Sequence, residues 1–253
     1  MSTRFFVDAP LAAQAEIALP SGPARHVQVL RLQPGAPLRL FDGSGGEWDA
    51  VVTHMGRNEV RVRVGAHLAV DRELARSVTL AIGVPANERM DALIEKATEL
   101  GAAAIVALMC ERSVLRLQGE RAARKLVHWR GVAVAACEQS GRTRIPQFPP
   151  VATLAEWLRS LPAIGAIGSA PGEARWLLSL DPDAPGIACA IAALAPQRDA
   201  PVCMLSGPEG GLTGEEQSLA LRAGFTPVGL GPRVLRADTA PLAALAALAC
   251  AGA

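Results

Sequence analysis

Residues 202–248 read VCMLSGPEGGLTGEEQSLALRAGFTPVGLGPRVLRADTAPLAALAAL, and this stretch decides the fold. Its first apolar run, residues 202–205, has the length of a buried strand. Three glycines and a proline within residues 206–211 must end that strand, because glycine permits positive φ and a close approach of a ligand. Thr213 and Glu216 fit the S/T-x-x-E capping box, which predicts that a helix begins near Thr213.

The second half of this stretch repeats the arrangement. A strand is predicted at residues 226–230, a tight loop at residues 231–233 and an alanine-rich helix from about Thr239. A strand, a glycine loop and a capped helix are the usual geometry for binding an anionic or polar ligand at strand ends. The loop is neither a P-loop nor a dinucleotide fingerprint, since it lacks both spacings. Glycine-rich turns also follow strands that bind nothing, so this pattern alone leaves a ligand open.

The preceding residues alternate between strand and helix patterns. Strands are predicted at residues 78–84, 104–109 and 163–167, and helices at residues 87–101, 119–139 and 172–180, with Asn87 as a capping residue. Such alternation predicts an α/β domain with a mostly parallel sheet.

The first seventy residues read instead as strands. They are predicted at residues 37–41, 47–54 and 59–64, with turns at residues 42–46 and 56–58. In the last strand Val60, Val62 and Val64 point to one face, and Arg61 and Arg63 point to the other. The composition changes at residues 70–76. We therefore predict a small all-β domain, 1–72, and a larger α/β domain, 73–253.

Composition limits the class of protein. The chain has 253 residues and a net charge of +1, so it is not a globally basic nucleic-acid protein. Five cysteines without a CxxC pair favour reduced cytoplasmic thiols over disulfides or a metal site. Arg4 and Asp8 interrupt the start of the chain, so no secretory signal is expected. The apolar run at residues 240–253 is too short to span a membrane.

The charge is nevertheless uneven. Residues 111–145 hold eight basic and three acidic side chains. A local basic stripe of this kind can contact phosphates, but it is equally typical of a solvated helix face.

Four motifs carry a family resemblance, in the same order along the chain. They are RHVQVLRLQPG at residues 25–35, ERMDALIEKATELG at 88–101, CEQSGRTRIP at 137–146, and LSGPEGGLTGEE with LGPRVLRADTA at 205–240. Together they resemble the ribosomal RNA small subunit methyltransferase E family of the SPOUT superfamily, and the resemblance covers nearly the whole chain.

This resemblance implies a fold and an activity. The implied fold is a PUA-like β-barrel that helps to bind RNA, followed by a SPOUT α/β domain with a trefoil knot, in a homodimer. The implied activity is transfer of a methyl group from S-adenosyl-L-methionine to N3 of a uridine in 16S ribosomal RNA near the decoding centre, on the free RNA or the small ribosomal subunit. Two alternatives remain: methylation of another RNA, and an RNA-binding protein without catalysis.

The resemblance also implies a cofactor site built from three loops. The expected binding residues are Gly168 in the first loop, Ser206, Gly207, Pro208, Glu209, Gly210 and Gly211 in the second, and Leu230, Gly231, Leu235 and Arg236 in the third. The first loop lacks the polar residue that the family usually has before the proline. Glu209 is expected to bond loop amides.

Catalysis and RNA binding are assigned to charged side chains. Glu138, Arg142 and Arg236 are the catalytic candidates, because N3–H must lose a proton and the ring oxygens gain negative charge. The candidates for RNA contact are Arg25, His26, Arg31, Arg61, Arg63, Arg142 and Arg144. Ala237 and Asp238 replace a threonine and a glutamate that are usual in the family, and no general base can be identified.

Overall fold

The computed structural model describes residues 3–57, 59–165 and 170–251, and of Asn87 and Glu88 it describes the backbone alone. The chain forms two compact units. The first consists of residues 1–73 and 134–145, and the second of residues 74–133 and 146–253. Within the described ranges, no helix is both long enough and apolar enough to cross a membrane.

The first unit is built on a five-stranded sheet and one helix. Its elements are β1 (Arg4–Phe6), β2 (Glu16–Ala18), α1 (Ser21–Val29), β3 (Pro37–Phe41), β4 (Glu47–Met55) and β5 (Val60–Leu68). The strand order is β1-β3-β4-β5-β2. Val60, Val62 and Val64 are fully buried in one apolar core, while Arg61 and Arg63 are exposed, as the alternation predicts. The sequence pattern missed β1 and β2, because three residues are too few to show a period, and it also missed the nine-residue helix α1.

The first unit also contains residues 134–145, the end of a long helix and the turn after it. There Phe6, Phe41 and Cys137 form a small apolar cluster, with Val134 and Ile145 packed against it. Burial raises the pKa of the Cys137 thiol to about 12, so the thiol stays neutral. The predicted division had placed this segment in the larger domain, since a boundary read from composition assumes that each domain is continuous in sequence.

The second unit is an α/β sheet with helices. Its elements are β6 (Val78–Gly83), α2 (Asn87–Glu99), β7 (Ala104–Met109), α3 (Gly119–Ser140, which ends in the first unit), β8 (Ala152–Thr153), α4 (Leu154–Ser160), β9 (Ala174–Ser179), α5 (Ile187–Ala193), β10 (Val202–Ser206), α6 (Gly214–Arg222), β11 (Thr226–Gly229) and α7 (Thr239–Ala251). The six strands pair in parallel in the order β11-β9-β10-β6-β7-β8. The predicted parallel sheet is confirmed.

One stretch of this unit was predicted wrongly. The helix expected at residues 172–180 is strand β9, which pairs in parallel with both β10 and β11. Residues 164–165, part of the strand expected at 163–167, form a turn, and residues 166–167 lie outside the described ranges. The apolar run of β9 is short, and periodicity alone does not separate a short buried strand from a helix.

Capping was predicted correctly in one helix and wrongly in another. Thr213 caps α6: its side chain accepts from the amide of Glu216, whose carboxylate accepts from the amide of Thr213. In α2 the N-cap residue is Ala86, and Asn87 is already helical.

Candidate functional site

A cavity of about 630 Å³ opens in the second unit where β9, β10 and β11 end. Three segments at the ends of these strands line it: residues 177–181, residues 206–212, and residues 230–231 with 233–237. Arg89, Arg112, Gln217 and Ala240 complete the lining. Ligands of open parallel sheets bind outside the carboxyl ends of the strands, and cavities of this volume hold small molecules. The cavity is therefore the candidate functional site.

The central loop, residues 207–211, is called the glycine loop below. It follows β10, whose five residues are all buried and which pairs with both β6 and β9. Gly211 has a φ of +69°, which favours glycine, and its amide donates to the carbonyl of Pro208 at 2.8 Å. A Cβ on Gly211 would meet nothing within 4 Å, so the backbone here faces open space.

The end of β6 and the start of α2 hold the glycine loop in place. At the end of β6, a Cβ on Gly83 would come within 2.5 Å of the Pro208 Cδ, so only glycine lets these two segments approach so closely. The Glu209 Oε1 accepts from the Ala86 amide at 3.1 Å and lies 3.5 Å from the Arg89 Nη1. Glu209 is thus tied to protein groups, which agrees with the expectation that it bonds loop amides.

The third loop contains the remaining residues that the sequence predicts to bind the cofactor. Leu230, Gly231, Leu235 and Arg236 all line the cavity. Gly231 has a φ of +94°, and no atom lies within 4 Å of its would-be Cβ. The carbonyl of Arg236 accepts from the amides of Thr239 and Ala240 at 2.9 Å each, and so begins α7. The Arg236 side chain remains exposed.

The two residues that depart from the family pattern follow Arg236. Ala237 lines the cavity, while Asp238 is not among the described lining residues. The Asp238 Oδ1 is buried and has no hydrogen-bond partner in the described part of the chain.

Among the described residues, a segment that the sequence did not indicate also lines the cavity. Gly168 lies outside the described residues, so its role stays a prediction, and this lining segment is residues 177–181, the end of β9 and the two residues after it. Ser179 Oγ accepts from the Asp181 amide at 3.1 Å, which turns the chain, and Leu180 stands 74% exposed. Because β9 was read as a helix, its terminal loop was missed. Arg89 and Arg112 were missed too, since Arg89 in the first turn of α2 and Arg112 in the loop after β7 are both far from the motif in sequence.

Two catalytic candidates belong to the first unit instead. Arg142 is buried, and its guanidinium pairs with the carboxylate of Glu73, with the Nε atom 3.1 Å from Oε2. The Oε1 of Glu138 accepts from the amide of Phe6 at 2.9 Å, and burial raises the pKa of Glu138 above its ordinary value, against the lowering effects of this bond, His26 and Arg4. These contacts favour structural roles for both side chains.

The remaining basic candidates are exposed. They are Arg25, His26, Arg31, Arg61, Arg63 and Arg144. On β5, Arg61 pairs with Glu59 at 3.1 Å and Arg63 lies 3.8 Å from Glu16. Such exposed pairs are weak, so both guanidiniums can exchange partners readily.

Comparison with known proteins identifies the family. A family model described as an RNA methyltransferase domain matches residues 72–249, and one described as an RNA methyltransferase PUA domain matches residues 24–65. The ribosomal RNA small subunit methyltransferase E of Synechocystis is 32% identical over 97% of this chain and 77% of its own length. The chain belongs to the ribosomal RNA small subunit methyltransferase E family. The relative of the same name from Mycobacterium bovis is 34% identical over 87% of this chain and 80% of its own.

Solved structures confirm the fold. A ribosomal RNA small subunit methyltransferase E from Neisseria gonorrhoeae, bound to S-adenosyl methionine, matches with a TM-score of 0.84 at 34% identity, over 98% of this chain and 97% of that one. A Legionella pneumophila protein in complex with the bound cofactor SAM matches with a TM-score of 0.87 at 31% identity, over 99% and 98%. The predicted fold class, a SPOUT trefoil-knot α/β domain with a small PUA-like β domain, is confirmed.

Proposed function

We propose that this chain is an S-adenosylmethionine-dependent methyltransferase that methylates N3 of a uridine in 16S ribosomal RNA. The observation that carries the proposal is the cavity at the ends of β9, β10 and β11, lined by the glycine loop. Relatives that share the fold over nearly their whole length bind S-adenosyl methionine or the cofactor SAM. Relatives of similar length are named for the small-subunit ribosomal RNA.

The cavity fits this cofactor by its own features. Gly211 and Gly231 both have positive φ and present backbone to open space, which is the surface that a Cβ would fill. The loop of residues 230–235 would enclose the adenine, and the glycine loop would meet the ribose and the methionine part through its backbone groups. When bound, the cofactor supplies an electrophilic methyl group on a sulfonium.

The side chains at the cavity hold the glycine loop and can stabilise charge on the substrate. Arg89 is paired with Glu209, and Arg112 with the carbonyl of Gly210, so these two guanidiniums are committed to the loop. Arg236 is exposed at the cavity and can stabilise the negative charge that develops on the uracil oxygens as N3 loses its proton. We assign the proton itself to no side chain. Glu138 and Arg142, offered above as catalytic candidates, are proposed to act structurally.

Binding is tested by Gly210→Val. A Cβ at Gly210 would come within 2.9 Å of the Arg112 Cβ, so the loop must move. We expect calorimetry to detect no S-adenosylmethionine binding by this variant. The matched control is Gly214→Val at the start of α6, where a Cβ meets nothing within 4 Å, and it should bind as the wild type does. Equal affinity of the Gly210 variant and the wild type would refute the assignment of the cofactor to this loop.

The RNA target needs a separate experiment. Mass mapping of ribosomal RNA from a strain that lacks the protein should show the loss of one methyl group from a uridine of the 16S RNA. Loss from another RNA would support the first alternative, and no loss together with no cofactor binding would support an RNA-binding protein without catalysis.

Further organisation is proposed on the same basis. We assign cofactor chemistry to residues 73–253. We assign RNA contact mainly to residues 1–72, through the exposed side chains of Arg25, His26, Arg31, Arg61 and Arg63, with the exposed Arg144 as a further contact outside that segment. We also propose a cytoplasmic homodimer. Its support is α7, which is apolar around most of its circumference, as expected of a helix with a protein partner on more than one side. Sedimentation that shows a species of one chain's mass at micromolar concentration would contradict the dimer.

A further inference from the structure

The loop between β7 and α3, residues 110–118, contacts the glycine loop through Arg112. The Arg112 Nη1 donates to the carbonyl of Gly210 at 3.0 Å. The amide on the far side of the same peptide, that of Gly211, donates to the carbonyl of Pro208. The Gly210–Gly211 peptide is therefore held at both ends, one of them by a side chain from another strand's loop.

Glu216 joins the same two segments a second time. Its Oε1 accepts from the amide of Glu111 at 2.8 Å, and its Oε2 accepts from the amide of Thr213 at 2.9 Å. Glu216 is buried. Its carboxylate thus links the residue before Arg112 to the residue that caps α6, immediately after the glycine loop.

The loop that carries Arg112 is itself fixed. The Cys110 amide donates to the Ser113 Oγ at 3.1 Å, and Arg116 donates to the carbonyls of Cys110 at 3.0 Å and Glu111 at 2.7 Å. Cys110 and Ser113 are buried. These bonds fix the backbone that carries Arg112, so its guanidinium is held in position to bind the carbonyl of Gly210.

We propose that Arg112 and Glu216 are positioning residues that hold the glycine loop in its cofactor-binding conformation. Below, the two side chains with their bonds to Gly210 and Glu111 are called the brace. Glycine imposes little steric restriction on its backbone, so with glycines on both sides the Gly210–Gly211 peptide rotates easily once its carbonyl is released. A rotated peptide presents a carbonyl where an amide stood, and the loop then loses its complementarity to the ligand. This role of the brace rests on the proposed function, because it concerns the same cofactor site.

The chain contains a matched control for Glu216. Helix α4 begins with a second capping box, in which Glu156 accepts from the amide and hydroxyl of Thr153. Glu156 is exposed, and in the described part of the chain its hydrogen bonds stay within its own box. Glu156→Ala therefore removes a capping box alone, whereas Glu216→Ala removes a capping box and the link to Glu111.

The first measurement needs no cofactor. Hydrogen exchange of the Gly211 amide, followed by NMR in the unliganded protein, reports whether its bond to Pro208 persists. We expect Arg112→Ala to speed this exchange about tenfold, as loss of one bond from a charged donor implies. Arg112→Lys should restore much of the protection, because an ammonium can still donate to the carbonyl. Unchanged exchange in Arg112→Ala overturns the proposal, whether or not the protein binds S-adenosylmethionine.

The second measurement is cofactor affinity with turnover. Arg112→Ala should weaken S-adenosylmethionine binding about tenfold and raise its KM accordingly, with kcat at saturation little changed. Glu216→Ala should weaken binding, and Glu156→Ala should not. Equal losses in the two glutamate variants would show that capping alone matters, and the brace would be rejected. If the wild type fails to bind S-adenosylmethionine, the proposed function is refuted, while the exchange measurement still decides the brace.

Discussion

Gly83 lies at the end of β6, where Pro208 of the glycine loop approaches its backbone. A Cβ there would lie 2.5 Å from the Pro208 Cδ and 2.6 Å from its nitrogen, and a proline ring cannot bend away as a flexible side chain can. We expect Gly83→Ala to displace the glycine loop and to reduce S-adenosylmethionine affinity at least about tenfold, as calorimetry would show.

The control for this prediction is the same substitution at Gly131. This glycine lies in the exposed middle of α3, and a Cβ would meet nothing within 4 Å. Gly131→Ala should raise the free energy of unfolding by roughly 0.5–1 kcal/mol and leave cofactor affinity unchanged. Wild-type affinity in Gly83→Ala would mean that the loop tolerates the displacement.

The carboxyl of Glu138 makes a pH-dependent contribution to the stability of the folded protein. Burial raises its folded pKa above the ordinary value of 4.5, so between these two pKa values the folded state binds more protons than the unfolded state. Its contribution to stability is therefore fully present below pH 4.5 and is lost as the pH rises through the folded pKa. Glu138→Gln keeps an acceptor for the Phe6 amide but cannot ionise.

We therefore expect Glu138→Gln to gain stability relative to the wild type as the pH rises. Denaturant unfolding at pH 4 and pH 7 should show the larger advantage at pH 7. If the free energy of unfolding of the wild type instead rises relative to that of the variant as the pH increases, the pKa of Glu138 is lowered in the folded state.

The cavity residues that the sequence predicted lie within the single stretch 202–248. Residues 206–211, 230–231 and 233–236 line the cavity, because a loop after a strand must emerge at the sheet's carboxyl edge. Arg89 and Arg112 could not be found in this way. Arg89 lies in the first turn of α2, after β6, and Arg112 lies in the loop after β7. Only the strand order β10-β6-β7, which no local pattern encodes, brings these segments near the end of β10.

At the scale of elements, residues 134–145 are fastened to the first unit by an ion pair. The side chain of Arg142 is 4% exposed and that of Glu73 is 16% exposed. Removal of Arg142 takes away the guanidinium that pairs with the largely buried Glu73 carboxylate. We expect Arg142→Ala to lower the free energy of unfolding by about 3–5 kcal/mol in denaturant titration.

Arg144 provides the control for this pair, because it is exposed and only two residues away. Arg144→Ala should stay within about 0.5 kcal/mol of the wild type. Glu73→Gln should resemble Arg142→Ala. Full stability of Arg142→Ala combined with lost turnover would restore the catalytic role that the sequence first suggested.

Element prediction succeeded where local chemistry decided the outcome. The capping box of α6 placed that helix correctly, and the same signature, Thr153 to Glu156, was available for α4. It failed at β9, whose strand character comes from pairing on both sides with β10 and β11. These partners are distant in sequence, so the local pattern did not reveal the strand, and a helix was predicted at residues 172–180.

At the scale of the whole molecule, the proposed RNA contact includes the exposed face of β5. Each phosphate contact that is lost flattens the salt dependence of single-stranded RNA binding by about 0.7 in the logarithmic slope. We expect the double variant Arg61→Ala, Arg63→Ala to bind RNA more weakly, with a slope smaller by about 1.4, and to keep its S-adenosylmethionine affinity. An unchanged slope would mean that this face is ordinary solvated surface.

The strand order has a consequence for synthesis on the ribosome. β10 pairs with β6 along Val78 to Ile82, yet it is translated after β7, β8 and β9. At about 5–20 residues per second, β6 waits on the order of ten seconds for this partner. During that time its backbone donors and acceptors on one side form an open edge, which invites pairing with other chains. The nascent protein is thus most exposed to aggregation before residues 202–206 emerge, and a chaperone that shields this edge should raise the yield of folded protein.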